Sequence, residues 1–458
     1  MSGFSLRVRR RSEAGAQGGE GAPRFGGGSA RWRGRLFRLA RGGLLLLGAV
    51  GALARESAPA DDPLAGLRDW LARPRAERPA LDGQPFAALP LTREQAKNAR
   101  SLLWADHAKF IRETRAAEMR ARVIELDGRR MKFETLSFPP GKPPGPKPRS
   151  LFLSLHGGGG APHAVNESQW RNQVRLGLAY RPREGLYVAP RAPTDAWNLW
   201  HQAHIDAFFD RLIENLIVLS NVNPNRVYLL GYSAGGDGVY QLAPRMADRW
   251  AAAAMMAGHP NDASPLGLRN VPFAIQVGAL DRAFHRNEVA AGWGRKLDAL
   301  HRADPGGYRH FLKIYPGKGH WMDLQDRRAI PWMEQFTRHP LPDRVVWHQD
   351  DVVHTRLYWL AVPREEARAG QDLVAERHGQ EITLRGKKVR RVMVLLNDAL
   401  LDLDQPVTLR AGGKTLFHGR VPRTVTTLER TLRERGDPDL VFSAEVSVTL
   451  PAASASDE

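Results

Sequence analysis

Between Ser150 and about His339 the chain alternates short, largely apolar runs with longer amphipathic stretches, an order that few folds accommodate. The apolar runs are Leu151–Leu155, Leu186–Ala189, Val227–Leu230, Ala251–Met256, Phe273–Val277 and Phe311–Tyr315. Each is short and lacks polar alternation, so each reads as a strand buried on both faces. Helical patterns fall between them at Ile205–Leu219, Gly238–Ala247, Asn287–Leu300 and Ile330–Arg338. Buried strands joined by helical crossovers make a mainly parallel sheet with helices on both faces. The class predicted for residues 149–340 is therefore α/β.

The flanks read differently. Residues 55–90, rich in Pro, Ala and charge, are expected to be a linker. Residues 91–148 are expected to pack on the core as a helix and a hairpin. Thr92 and Gln95 make a capping box for the helix. The hairpin, Arg122–Phe138, turns at Asp127-Gly128. Beyond His339 short alternating runs replace the helical rhythm, which predicts a C-terminal all-β, sandwich-like domain over 341–451. One helix at Thr427–Arg435 interrupts it, and residues 452–458 read as a disordered tail.

Residues 1–54 read as a targeting segment. A basic, Gly-rich stretch precedes the apolar run Gly42–Ala54, which ends in the A-x-A pattern Ala52-Leu53-Ala54. The expectation is a signal peptide and export to the periplasm or exterior, with an uncleaved N-terminal anchor as the alternative and no membrane span after processing. The absence of cysteine excludes disulfides and thiolate chemistry. The net charge of +18 does not point to nucleic acid. Ten arginines lie in residues 1–41, and the remaining excess is spread along an arginine-rich chain without an aromatic-interleaved basic run. No nucleic-acid partner, cofactor or metal is expected.

The chemistry concentrates at "RVYLLGYSAGGDGVY". Gly231-Tyr232-Ser233-Ala234-Gly235 fits G-x-S-x-G between a buried strand and a helix, the setting of a strained turn that exposes a serine hydroxyl. A serine nucleophile needs a base, and the base a carboxylate to orient it. Asp281 ends "IQVGALD" and His320 lies in "GKGHW", both just past strand ends, where open α/β sheets bind ligands. An acyl-transfer intermediate also needs two N–H donors for its oxyanion. Ala234 is one candidate; "LHGGGG" supplies the other from Gly157 or Gly158.

With these motifs in order, the chain resembles the α/β-hydrolase superfamily. The carriers are "LHGGGG", "GYSAGGDG", "VGALD" and "GKGHW", over about residues 150–340. The branch it looks most like holds secreted polyhydroxybutyrate-depolymerase, feruloyl-esterase and phospholipase/carboxylesterase-type serine hydrolases. The resemblance implies Ser233 as nucleophile, Asp281 as acid, His320 as base and an ester, small or polymeric, as substrate.

Rival readings stay open within the sequence. His156 is an alternative base, and Asp262 an alternative acid. Asp237 lies in the first helical turn after Ser233, where a carboxylate complements the helix dipole. His201, His204 and Asp206 have no established zinc spacing. Asp398, Asp402 and Asp404 lack the glycine turn and glutamate of a calcium loop. Trp170, Trp197 and Trp200 suit either a substrate pocket or the core. Two alternative functions remain: a serine peptidase related to the prolyl-oligopeptidase group, and a non-catalytic polymer-binding surface protein.

Overall fold

The apolar runs assemble into one eight-stranded sheet. The computed structural model of the protein describes residues 62–141 and 145–451, so the targeting segment expected at 1–54 and the tail expected at 452–458 lie outside it. In chain order the first elements are α1 (Pro63–Ala72), α2 (Arg93–Ala121), β1 (Val123–Leu126), β2 (Arg129–Phe138), β3 (Arg149–Leu155), α3 (His163–Tyr180) and β4 (Gly185–Pro190). Then come α4 (His204–Ser220), β5 (Val222–Tyr232), α5 (Ala234–Arg245), β6 (Ala252–Met256), β7 (Phe273–Gly278), α6 (Arg286–Ala303), β8 (His310–Tyr315) and α7 (Ala329–Met333). The sheet order is β1-β2-β4-β3-β5-β6-β7-β8. All neighbours from β4 to β8 are parallel, while β2 runs antiparallel to β1 and β4.

Strand alternation divides the core between the two faces. Leu151, Leu153, Val227, Leu229 and Ile275 pack with Phe208, Val239 and Trp293 of α4, α5 and α6. Phe152, Tyr228, Leu230, Ala252 and Ala254 face Tyr180 of α3 and Ile330 and Met333 of α7. Burying each large apolar side chain is worth roughly 1.5–3 kcal/mol, so both faces must stay covered.

α3 is a helix that the apolar pattern does not announce. Its buried positions are Asn166, Gln173, Gly177 and Tyr180, so three of its four fully buried residues are polar or small. Part of the 55–90 segment, expected as a linker, is likewise structured. Asp62 caps α1 by accepting from the Leu64 N–H, and Leu64 and Leu67 bury against Leu103 of α2. The capping box of α2 is formed as expected: Thr92 Oγ1 accepts from the Gln95 N–H, and Gln95 Oε1 from the Thr92 N–H.

The C-terminal region contains β9 (Arg344–His348), β10 (Arg356–Leu357), β11 (Leu360–Ala361), β12 (Asp372–His378), β13 (Glu381–Lys387) and β14 (Arg391–Leu396). It continues with β15 (Val407–Ala411), β16 (Lys414–Gly419), α8 (Val425–Arg435) and β17 (Ala444–Thr449). Two sheets result, β10-β11-β14-β17 and β16-β15-β13-β12-β9. The apolar residues of this region, Trp359 and Phe442 among them, join the same buried cluster as Tyr240 of α5 and Trp250, which lies between α5 and β6.

Buried charges tie this region to the sheet. Arg338 Nη1 donates to Asp437 Oδ2 at 2.7 Å, and Arg338 also donates to Asn225 Oδ1. Arg435 pairs with Asp248, and Tyr358 Oη donates to the Ala247 carbonyl at 2.8 Å. Burial alone would raise the Asp437 carboxyl, but Arg338 and Arg249 hold it down at about 2. Removing one partner of a buried pair leaves an uncompensated charge. Arg338→Met is therefore expected to cost about 3–5 kcal/mol in a urea titration, with the Arg338→Met/Asp437→Asn double variant losing less. A single-variant loss below about 1 kcal/mol, the range of exposed pairs, would contradict the buried clamp.

Candidate active site

Ser233 sits between the end of β5 and the start of α5 with φ 59° and ψ −125°, a strained conformation for a residue with a Cβ. Close packing imposes it. A Cβ on Gly231 would meet the Gly235 carbonyl oxygen at 2.2 Å, and one on Gly235 would meet the Leu155 carbonyl oxygen at 2.1 Å. Both glycines of the pentapeptide are therefore needed for β3, β5 and α5 to converge. The Ser233 N–H donates to the Met256 carbonyl at 2.9 Å, which anchors the turn on β6.

The three residues singled out from the sequence come together. His320 Nδ1 lies 2.8 Å from Asp281 Oδ2, and His320 Nε2 lies 3.0 Å from Ser233 Oγ. Asp281 is buried and His320 faces solvent. A carboxylate only accepts, so Nδ1 carries the proton and Nε2 offers its lone pair to the serine O–H. The two loops meet because Gly278, at the end of β7, touches backbone: a Cβ there would lie 2.0 Å from the Gly319 carbonyl oxygen. The Asn287 N–H donates to the Asp281 carbonyl, and Asn287 Nδ2 to that of Ala279, which pins the acid loop.

The glycine loop passes beside the serine. A Cβ on Gly157 would lie 3.1 Å from Ser233 Cβ. Asn166 of α3 clamps the loop, with Oδ1 accepting from the Gly159 N–H at 2.8 Å and Nδ2 donating to the Ala161 carbonyl at 2.9 Å. The Gly160 N–H donates to the Asp195 carbonyl. His156, an alternative base in the sequence, lies within this scaffold. Its Nδ1 donates to the Gly157 carbonyl at 2.6 Å, and its Nε2 accepts from the Ala192 N–H at 3.1 Å. Burial lowers its imidazolium to about 3, so it is neutral.

Other candidates are engaged elsewhere. Asp262 Oδ1 accepts from Gln241 Nε2 at 2.9 Å, away from the histidine. Asp206 pairs with Arg245 at 2.5 Å and His354 at 2.8 Å. Burial lowers His201 to about 4, and His204 is also lowered by burial. Asp398, Asp402 and Asp404 surround Arg93, and Asp398 and Asp404 also hold Arg423. Asp237 accepts from the His259 N–H at 2.6 Å, and burial raises its carboxyl to about 6.

An open cleft of ≈ 670 Å³ runs from Ser233 and His320 along α3. Val165, Leu176, Ala179, Trp321 and Leu324 give it an apolar lining, while Gln169, Asn172, Gln173 and Arg175 add polar groups. None of the three tryptophans weighed in the sequence lines it. Trp200 Nε1 donates to the His156 carbonyl and Trp170 Nε1 to that of Ala189, while Trp197 is 65% exposed beside Gly160.

Sequence reasoning missed Asn166 and Tyr232. Tyr232 Oη donates to the His320 carbonyl at 2.6 Å and accepts from the Met322 N–H at 3.1 Å, which fixes the histidine loop. Its place inside the G-x-S-x-G pentapeptide was the available signal.

No protein-family model matches the chain. Over 154 residues it is 30% identical to a candidate esterase, NocK, of Nocardia uniformis subsp. tsuyamanensis. That stretch takes in 32% of this chain and 44% of NocK, so the chain spans less than half the length of this curated relative. Among solved structures, the poly(3-hydroxybutyrate) depolymerase LpqC from Bordetella parapertussis is 18% identical, with a TM-score of 0.36 over 46% of this chain and 87% of that one. Esterase PE8 is 20% identical, with a TM-score of 0.35 over 45% and 98%. The strand order, the parallel crossovers and the strained serine turn between β5 and α5 give residues 149–340 the α/β-hydrolase fold.

Proposed function

We propose that the protein is an exported serine hydrolase that cleaves carboxylic esters through an acyl-enzyme. The observation that carries this reading is the continuous hydrogen-bonded line Ser233–His320–Asp281 at the mouth of an apolar cleft. Similarity to NocK, itself a candidate esterase, supports the ester class. Export rests on the apolar run and A-x-A pattern within residues 1–54. Among the described residues no helix is long and apolar enough to cross a membrane.

In this mechanism Ser233 Oγ attacks the ester carbonyl carbon while His320 Nε2 takes its proton. Asp281 stabilises the imidazolium and holds its orientation. The Ala234 N–H and an N–H of Gly157 or Gly158 receive the oxyanion. The engagement of the Gly159 and Gly160 N–H groups within the loop supports that choice. The C–O bond then breaks, His320 protonates the leaving alcohol, and water activated by the same histidine releases the acid.

Ser233→Ala is expected to leave p-nitrophenyl ester hydrolysis at background while near-UV circular dichroism stays unchanged; parent-like turnover in the variant sinks the reading. Asp281→Asn is expected to lower kcat by about 10⁴, because the wrong tautomer then faces the serine. Asp237→Asn should instead keep most of the turnover, since Asp237 lies outside the line. It should also change the pH dependence of stability. A carboxyl raised to about 6 in the fold, against about 3.9 unfolded, penalises the folded state above pH 6 and relieves it as pH falls toward 4. The thermal midpoint of the parent should therefore rise relative to Asp237→Asn between pH 7 and 5. A constant gap would remove the raised carboxyl.

A further inference from the structure

A second cavity, of ≈ 650 Å³, is lined by residues that directly follow those of the catalytic cleft in the chain at two places. On α3, Ala179 lines the cleft and the next residues, Tyr180 and Arg181, line the cavity. On the segment after His320, Leu324 lines the cleft and Gln325 the cavity. Four guanidinium groups, from Arg181, Arg183, Arg327 and Arg328, surround this second space.

Its charge is not balanced from within. Glu334 is the one carboxylate in the wall, and it is engaged by Arg183: Oε1 accepts from the Arg183 N–H at 3.0 Å and Oε2 lies 3.5 Å from its Nε. Asp326 is buried behind the wall and accepts from the Tyr180 hydroxyl. Among the described residues Arg181, Arg327 and Arg328 have no carboxylate within ion-pair distance. Arg423, by contrast, meets both Asp398 and Asp404. Two of the unmatched groups are nevertheless held in place. The Arg328 guanidinium lies 5.3 Å over the Phe311 ring, and Arg181 Nε donates to the Leu178 carbonyl at 3.3 Å.

We propose that this cavity binds a multiply charged, phosphate-type oxyanion. Guanidinium forks match the oxygens of a phosphate group two at a time, and arginine stays charged at every working pH. A concave wall with excess positive charge concentrates anions from solution. Two sources supply the same chemistry. The group is either a free anion or the distal phosphate of an ester whose carbonyl lies at Ser233 in the neighbouring cleft.

Calorimetric titration of the full chain with inorganic diphosphate at low ionic strength tests the site without reference to hydrolysis, and Ser233→Ala serves for it equally. One saturable site is expected in the parent. Arg327→Gln/Arg328→Gln should bind at least about tenfold more weakly, because charged hydrogen bonds are lost. Arg385→Gln/Arg390→Gln, which removes two exposed arginines of the C-terminal sheets, should bind like the parent and controls for bulk charge. All these side chains are exposed, so the variants should fold, as near-UV circular dichroism will check. Absence of saturable binding in the parent, or equal weakening in the control, overturns the site. The source follows from kinetics. Diphosphate that raises KM only for a phosphate-bearing aryl ester identifies a substrate group, whereas diphosphate that alters p-nitrophenyl acetate turnover identifies a free anion.

Discussion

Ser233 is held at φ 59° by the convergence of three elements, and the site is built around that constraint. A side-chain-bearing residue adopts such backbone angles only where its surroundings over-determine them. Here β3, β5 and α5 approach so closely that Gly231 and Gly235 admit no Cβ, and the Ser233 N–H is tied to β6. The turn projects Oγ beyond the strand ends, and the parallel order places the Asp281 and His320 loops beside it. Each partner loop has its own anchor. Gly278 packs against the backbone of Gly319, and the Tyr232 hydroxyl joins the serine turn to the His320 loop.

Much of this was legible in the sequence, for a physical reason. Strands buried on both faces are largely apolar, so the five runs between Leu151 and Val277 stand out, while the sixth, Phe311–Tyr315, is the half-buried edge strand β8. The serine turn was legible because close packing leaves only glycine on either side. α3 was not, because periodicity detects apolar faces and α3 buries Asn166 and Gln173 instead. Those two amides do polar work: Asn166 clamps the glycine loop, and Gln173 Nε2 donates to Ser154 Oγ at 2.6 Å. The helix of Pro63–Ala72 was hidden by its proline- and charge-rich setting, although Asp62 and Pro63 are ordinary helix-start residues. The polar helix, absent from the sequence reading, forms the long wall of the catalytic cleft.

The arginine excess has a structural counterpart. Arg249, Arg338 and Arg435 are buried where the C-terminal sheets meet the α/β core, and each is matched to Asp210, Asp437 or Asp248. Arg93 and Arg423 neutralise the aspartates near residue 400, which accounts for an acidic cluster that otherwise resembles part of an ion loop. Arg181, Arg327 and Arg328 differ from these buried pairs in lining a concave space without a carboxylate partner.

Phosphonylation of the full chain with a fluorophosphonate, followed by peptide mass mapping, tests the central claim most directly, because it requires an activated serine and reports which one. A single adduct on Ser233, lost when His320 is replaced by alanine, is the expected result. A folded protein that takes no label, or that takes it on another residue, would contradict the assignment of Ser233 as the nucleophile.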